Sequence, residues 1–170
     1  MRAGHRAQSS KKEGGVVVKL TKKFVQGRLW VGERWVSNGH WLLHRDVIAP
    51  HTLRCALNKE SAYIVLGAYE YQTLPAEVVE RIINQPNRRE WNYTGFIQNE
   101  FLGRYADELL IYAKKGWPEY AAFNRMYLDP LGRPEKLWSL SAIETFVNRP
   151  EDPTICLKGI RTPPRKLPLI

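Results

Sequence analysis

Cysteine is nearly absent from this chain. Only Cys55 and Cys156 occur, far apart and with no CxxC pair, which argues against a cysteine zinc site. Their separation leaves a disulfide open, but no feature argues for export. Long apolar runs are missing too. Stretches such as YIVLGAY fall far short of a bilayer span, so no membrane partner is expected. The opening residues, MRAGHRAQSSKKEGG, carry charge without an apolar run and do not read as a signal peptide. The cytoplasm is therefore the expected location. Acidic residues are in deficit, at 17 against 26 Lys plus Arg, for a net charge of +9. Such a surplus favours polyanionic partners, because neutralising phosphates releases condensed counterions; a basic tail or solubility alone gives the same sum.

What is there suffices for a folded domain. Hydrophobic residues make up 44% of 170, aromatics 11%, so the chain can bury a core. Residues 1–15 read as a flexible basic arm, residues 16–162 as a single domain, and residues 163–170 as a proline-rich end. Residues 16–20 (VVVKL) are β-branched and predict a first strand. RLWVGERWV and HWLLHRDVI are apolar-rich runs split by Ser37-Asn38-Gly39, a hairpin signal because Asn and Gly tolerate the positive φ of a type I′ turn. Residues 61–69 predict another strand.

In TLPAEVVERIINQPN, Pro75 suits a first helical turn, and Val78, Val79, Ile82 and Ile83 form one apolar stripe ended by Pro86. Residues 108–114 (ELLIYAK) read as a strand or as part of a helix. Residues 133–147 carry Leu137, Leu140, Ile143 and Val147 at helical spacing, although the part from Trp138 also suits an extended chain. Residues 153–160 predict a late strand. Hairpins alternating with one or two helices describe an α+β fold, with antiparallel sheets and one or two packed helices.

Several groupings invite a chemical reading. His40 and His44 have HxxxH spacing, but four residues along a strand span roughly 13 Å, too far to share one metal. His44-Arg45-Asp46 repeats a kinase triplet, yet His51 stands where that loop needs asparagine. The carboxylates Asp46, Asp107, Glu108, Asp129, Glu135 and Glu144 are the raw material of a metal-dependent nuclease, with no spacing that demands one. No cofactor or metal motif is recognisable. In NRREWNY, Arg88 and Arg89 suit phosphates while Trp91 or Tyr93 suits a stacked base. The same residues also suit a helix end whose cations meet the dipole while the tryptophan closes the core. Lys11, Lys12, Lys22 and Lys23 form a looser basic patch, for which a solvated face is the simpler account.

The run Val36-Ser37-Asn38-Gly39-His40-Trp41-Leu42-Leu43 resembles the ATDGHRLA hairpin of bacterial DNA polymerase sliding clamps, with Asn for Asp. Downstream, Gly116-Trp117-Pro118-Glu119-Tyr120 resembles the family's G-x-Y/F-P-x-Y run, and residues 123–131 its F-N-x-x-Y-L-x-x-L helix opening. Residues 153–170 are placed like the last hairpin of a clamp domain. The motifs keep their order over about half the chain, with insertions between residues 50 and 115. Pro130 departs from the pattern and is expected to interrupt the helix there. With room for about one domain, the chain resembles a small phage-type form of that family.

The resemblance implies a non-enzymatic replication accessory or processivity factor holding duplex DNA by charge, without base readout. Arg81, Arg88, Arg89 and Arg125, with Lys22 and Lys23 behind them, are the residues it points to for phosphate contact. A DNA polymerase or a clamp is the implied protein partner, and a homo-oligomer is compatible with it. Two other readings stand beside it: a clamp-binding protein that uses the LPLI ending, and the nuclease above.

Overall fold

The computed structural model describes residues 16–57, 70–86, 88–98, 108–140 and 145–162. The expected arm, the proline-rich end and the strand expected at residues 61–69 lie outside the described residues. The protein is α+β. Among the described residues, eleven strands join in one sheet, ordered β11-β7-β6-β5-β8-β9-β10-β3-β2-β1-β4. In chain order they are β1 (Arg28–Val31), β2 (Trp35–Ser37), β3 (Trp41–His44), β4 (Glu70–Thr73), β5 (Arg89–Gln98), β6 (Glu108–Ala113), β7 (Tyr120–Asn124), β8 (Lys136–Ser139), β9 (Thr145–Val147), β10 (Ile155–Lys158) and β11 (Ile160–Thr162). The helices are α1 (Lys22–Val25), α2 (Pro50–Leu57), α3 (Ala76–Ile83) and α4 (Arg125–Leu128). Neighbouring strands are antiparallel except β1 and β4.

Strand order alone shows that the sheet curls shut. β10 lies between β9 and β3, and the chain runs straight on through Gly159 into β11, which pairs with β7 at the sheet's end. β7, β6, β5, β8, β9 and the continuous β10–β11 strand therefore make a closed ring of hydrogen-bonded neighbours, while β3, β2, β1 and β4 extend from it. Closure removes free edges that an open sheet must protect. Alternation fills the inside: Trp91 of β5, Leu110 and Tyr112 of β6, Ala121 and Phe123 of β7, Leu137 of β8, Phe146 of β9 and Leu157 of β10 share one buried cluster. Phe123 and Phe146 come from strands that are not neighbours, yet their rings meet edge-to-face at 5.1 Å across the interior. Trp91 packs on Phe146 at 5.5 Å and Tyr112 on Phe123 at 5.3 Å in the same way.

Helix α3 covers the opposite face. Its Val79, with Ile82 and Ile83 half-buried, packs with Leu42, Val147 and Cys156, which point away from the interior. This is the helix that the apolar stripe predicts. Pro75 takes the N-cap position, one residue before the first turn, and the helix stops at Asn84, ahead of Pro86.

The hairpin at Asn38-Gly39 forms between β2 and β3, with Ser37 facing Leu42. Its turn is not the expected one, since only Gly39 has positive φ, at 98°. Asn38 works through its side chain. Its Oδ1 accepts from the His40 and Trp41 amides (2.8 and 3.1 Å), and its Nδ2 donates to the Phe24 and Val25 carbonyls (3.2 and 3.1 Å). The carbonyls at a helix end lack partners further along the helix; here Gln26 meets those of Lys22 and Lys23, while Asn38 and the Trp41 indole, donating to Phe24 O at 3.0 Å, meet those of Phe24 and Val25. Phe24 stacks on Trp41 at 4.6 Å to complete the joint.

One other expectation needs correction: residues 16–20 form a single bridge, Val18 to Ile48, rather than a strand. For residues 133–147 the extended alternative offered from Trp138 is correct, and the strand begins two residues earlier, as β8 and then β9, because Leu137 faces the interior while Trp138 faces the outer cluster, a period of two. Within NRREWNY, residues 89–93 lie on strand β5, while Arg88 meets the carbonyl end of α3 and Trp91 closes the core, as the helix-end alternative has it. Of the alternatives for residues 108–114, the strand is correct. At Pro130 the one-turn helix α4 passes into a 3-10 turn, Asp129–Leu131, as the proline requires.

Candidate nucleic-acid interface

The six expected phosphate contacts fall into separate places. Arg81 is exposed in the last turn of α3. Arg88 lies close to that helix but spends its donors on backbone: Nε on Gln85 O at 3.3 Å, and the terminal nitrogens on Ile83 O and Pro150 O. It closes the carbonyl end of α3 and ties it to the loop after β9, an anchoring role that phosphate binding would have to disrupt. Arg125 sits on α4 with Nε 2.6 Å from Asp129 Oδ2, and Arg133 shares that carboxylate at 3.0 Å. Burial raises the Asp129 pKa, and the hydrogen bonds from Arg125 and Arg133 outweigh it, so the carboxyl is held below its usual range. Lys22 and Lys23 are exposed on α1, whose following residue Gln26 contacts Met126 of α4 at 3.6 Å, so the two lysines and Arg125 share one end of the molecule.

Arg89 is in a different setting. Alternation along β5 puts it on the same side as interior Trp91, one pleat further out; along β6 the same rule puts Lys114 one pleat beyond interior Tyr112. Both therefore lean over the barrel's mouth. They meet on Trp117: the Arg89 guanidinium carbon is 5.7 Å and the Lys114 Nζ 4.6 Å from the ring centroid. Lys115 lies beside them on the exposed turn between β6 and β7, where Gly116 has φ of 83°. No ion pair is described for Arg89, Lys114 or Lys115, whereas Lys136 pairs with Glu90 on the outer side at 3.3 Å. Trp91, the stacking candidate of the sequence, is 1% exposed and belongs to the core. Tyr93 is half-buried against Tyr112. Trp117 was legible only as part of the clamp-like run, and its place beside Arg89 depends on strand pairing.

The histidines serve packing. His40 stacks on Tyr127 at 4.9 Å, and its pKa is lowered by burial and by Lys158. His44 Nδ1 accepts from the Asp46 amide at 3.1 Å and its ring meets Trp35 edge-on at 5.1 Å. Among the described residues, no three His, Cys, Asp or Glu side chains gather as a metal site. Asp107 and Glu144 lie outside the described residues.

An apolar pocket of about 150 Å³ lies beside the contact of α3 with the outer sheet face, with Leu42, Val78, Val79, Ile82 and Cys156 in its lining and Lys158 and His40 among its polar members. Cys156 is a free buried thiol. Burial pushes its pKa up to about 12, only partly opposed by Arg88. The nucleophile is the thiolate, so at neutral pH Cys156 will resist iodoacetamide in the folded protein and react once urea unfolds it, as read by mass spectrometry. Rapid labelling without unfolding would contradict that burial. Because the folded pKa is raised, the thiol's contribution to stability is full below its unfolded pKa, near 8.5, and fades as pH rises towards 12.

No helix among the described residues is long and apolar enough to cross a membrane. No family model, curated protein or solved structure matches the chain.

Proposed function

We propose that this protein is a non-enzymatic DNA-associated factor that holds the phosphate backbone by charge, duplex included, without reading base order. The observation that carries the reading is the pair Arg89 and Lys114 on the Trp117 ring at the barrel mouth, with Lys115 exposed in the same turn and no carboxylate partner described for the three. Lysine and arginine heads presented on a rigid strand end are positioned for phosphate oxygens, and such contacts set register while carrying no sequence information. The net charge of +9 adds a long-range attraction for the same partner. A clamp-like accessory role in replication, with a polymerase or clamp as partner, is the finer form of this reading and rests on the motif resemblance at residues 36–43 and 115–131.

Of the six residues expected from the sequence, Arg89 is retained at the centre of the interface. Arg81, Lys22 and Lys23 are outlying cations, and Arg88 and Arg125 are already engaged. Anisotropy titrations of duplex DNA across salt concentrations test this. The variant with Arg89, Lys114 and Lys115 all changed to alanine should reduce the slope of log affinity against log salt by about two to three units. An unchanged slope, or no DNA affinity in the parent protein at low salt, would overturn the proposal.

A further inference from the structure

We infer that Trp117 is a stacking platform for an unpaired nucleobase, so that the barrel mouth takes single-stranded nucleic acid by base as well as by phosphate. The inference rests on the nucleic-acid reading above and adds the substrate's form. Of the six tryptophans, Trp41 and Trp91 are fully buried, and Trp30, Trp35 and Trp138 are half-buried. Trp117 is 39% exposed; only it and Val17 are exposed large hydrophobic residues among those described. That exposure sets a π surface beside two cations, within reach of a base.

The surroundings suit a nucleotide. Arg89 and Lys114 approach the ring at 5.7 and 4.6 Å, with Lys115 two residues away in sequence. The turn is held by the Trp117 amide donating to Lys114 O at 3.0 Å, which keeps the ring close to the strand ends. A Cβ on Gly116 would meet nothing within 4 Å, so the space beside the turn is open. A base arriving on the ring displaces the flexible Lys114 head, whose ammonium then meets the adjoining phosphate. Duplex hides its base faces in the stack, whereas an unpaired strand presents them.

The test separates base from charge. Full-length protein is titrated with labelled oligo(dT), oligo(rU) and an abasic strand of equal length and charge. The parent should bind oligo(dT), oligo(rU) or both more tightly than the abasic strand by about tenfold, as base–aromatic stacking allows. Trp117→Ala should remove that advantage, so that base-bearing and abasic strands of equal charge bind the variant alike. Trp117→Phe should recover most of it, and Trp117→Leu, which keeps apolar bulk without a π face, should not. Whichever sugar is preferred names the strand as DNA or RNA. Equal binding of base-bearing and abasic strands, or full affinity in Trp117→Leu, would overturn the inference and leave the charge-based reading standing. Absence of binding to any strand would sink both.

Discussion

Replacing Asn38 with alanine will cost about 3 to 4 kcal/mol of unfolding free energy, because each buried partner left without a hydrogen bond costs about 1 to 3 kcal/mol and water reaches only part of the site. Asn38 is 6% exposed and joins two acceptors to two donors, so its loss strands the Phe24 and Val25 carbonyls as well as the His40 and Trp41 amides. Phe24 O keeps the Trp41 indole as a partner, and for that reason the full sum is not expected. The effect should be read as a shift of the urea midpoint at constant slope. A loss below about 1 kcal/mol, the ordinary net worth of one hydrogen bond, would show that the joint is not a cooperative unit.

Aspartate is the sharper probe, since it has the same shape. It keeps the acceptor but offers a carboxylate to two carbonyl oxygens in a site without compensating charge. Its folded pKa will therefore rise above the unfolded value near 3.9. A raised carboxyl pKa makes the variant most stable when the group is protonated, so stability should fall as pH rises above about 4. The sliding-clamp hairpin resembled at residues 36–43 carries aspartate at this place. Here the donor half of the Asn38 amide reaches Phe24 O and Val25 O of α1, and aspartate would lose it.

A side chain at Gly159 will do comparable harm by a different route. An added Cβ would lie 2.6 Å from Cε2 and 2.8 Å from Cζ of Phe123, a ring that is itself 3% exposed and locked against Tyr112 and Phe146. Gly159 joins β10 to β11, so the ring has to move or the closure between β11 and β7 has to open. Gly159→Ala should cost about 2 to 3 kcal/mol, the upper range for overpacked interiors, and Gly159→Val more. Combining Gly159→Ala with Phe123→Leu should cost less than the two changes added, because the shortened side chain vacates the space. Strict additivity would remove the clash from the account. Gly116→Ala is the control: its Cβ meets nothing, so only the positive φ matters, at about 1 to 2 kcal/mol.

Local signals read correctly where one element carried its own pattern. The stripe Val78, Val79, Ile82, Ile83 announces α3, and Asn38-Gly39 announces a reversal between β2 and β3. Signals failed where two periods fit the same residues. Leu137, Leu140 and Val147 recur at helical spacing, yet Leu137 and Val147 are alternating strand positions of β8 and β9. Residues 16–20 have strand composition but find only one bridging partner, at Ile48. Of the two readings open for Trp91, the core one is correct: it sits in a basic run, but a strand alternates faces, and its face is the interior.

Composition and local pattern were enough to determine an α+β domain with an apolar interior, one amphipathic helix, a reversal at Asn38-Gly39 and a basic surface. Only the tertiary structure decided that the sheet closes through Gly159, that Arg88 and Arg125 are engaged with partners, and that Arg89 and Lys114 converge on Trp117. The reason is range. Propensity and periodicity act over one or two turns of chain, whereas closure and convergence depend on which distant strands pair and in what register, and no short window of sequence contains both partners.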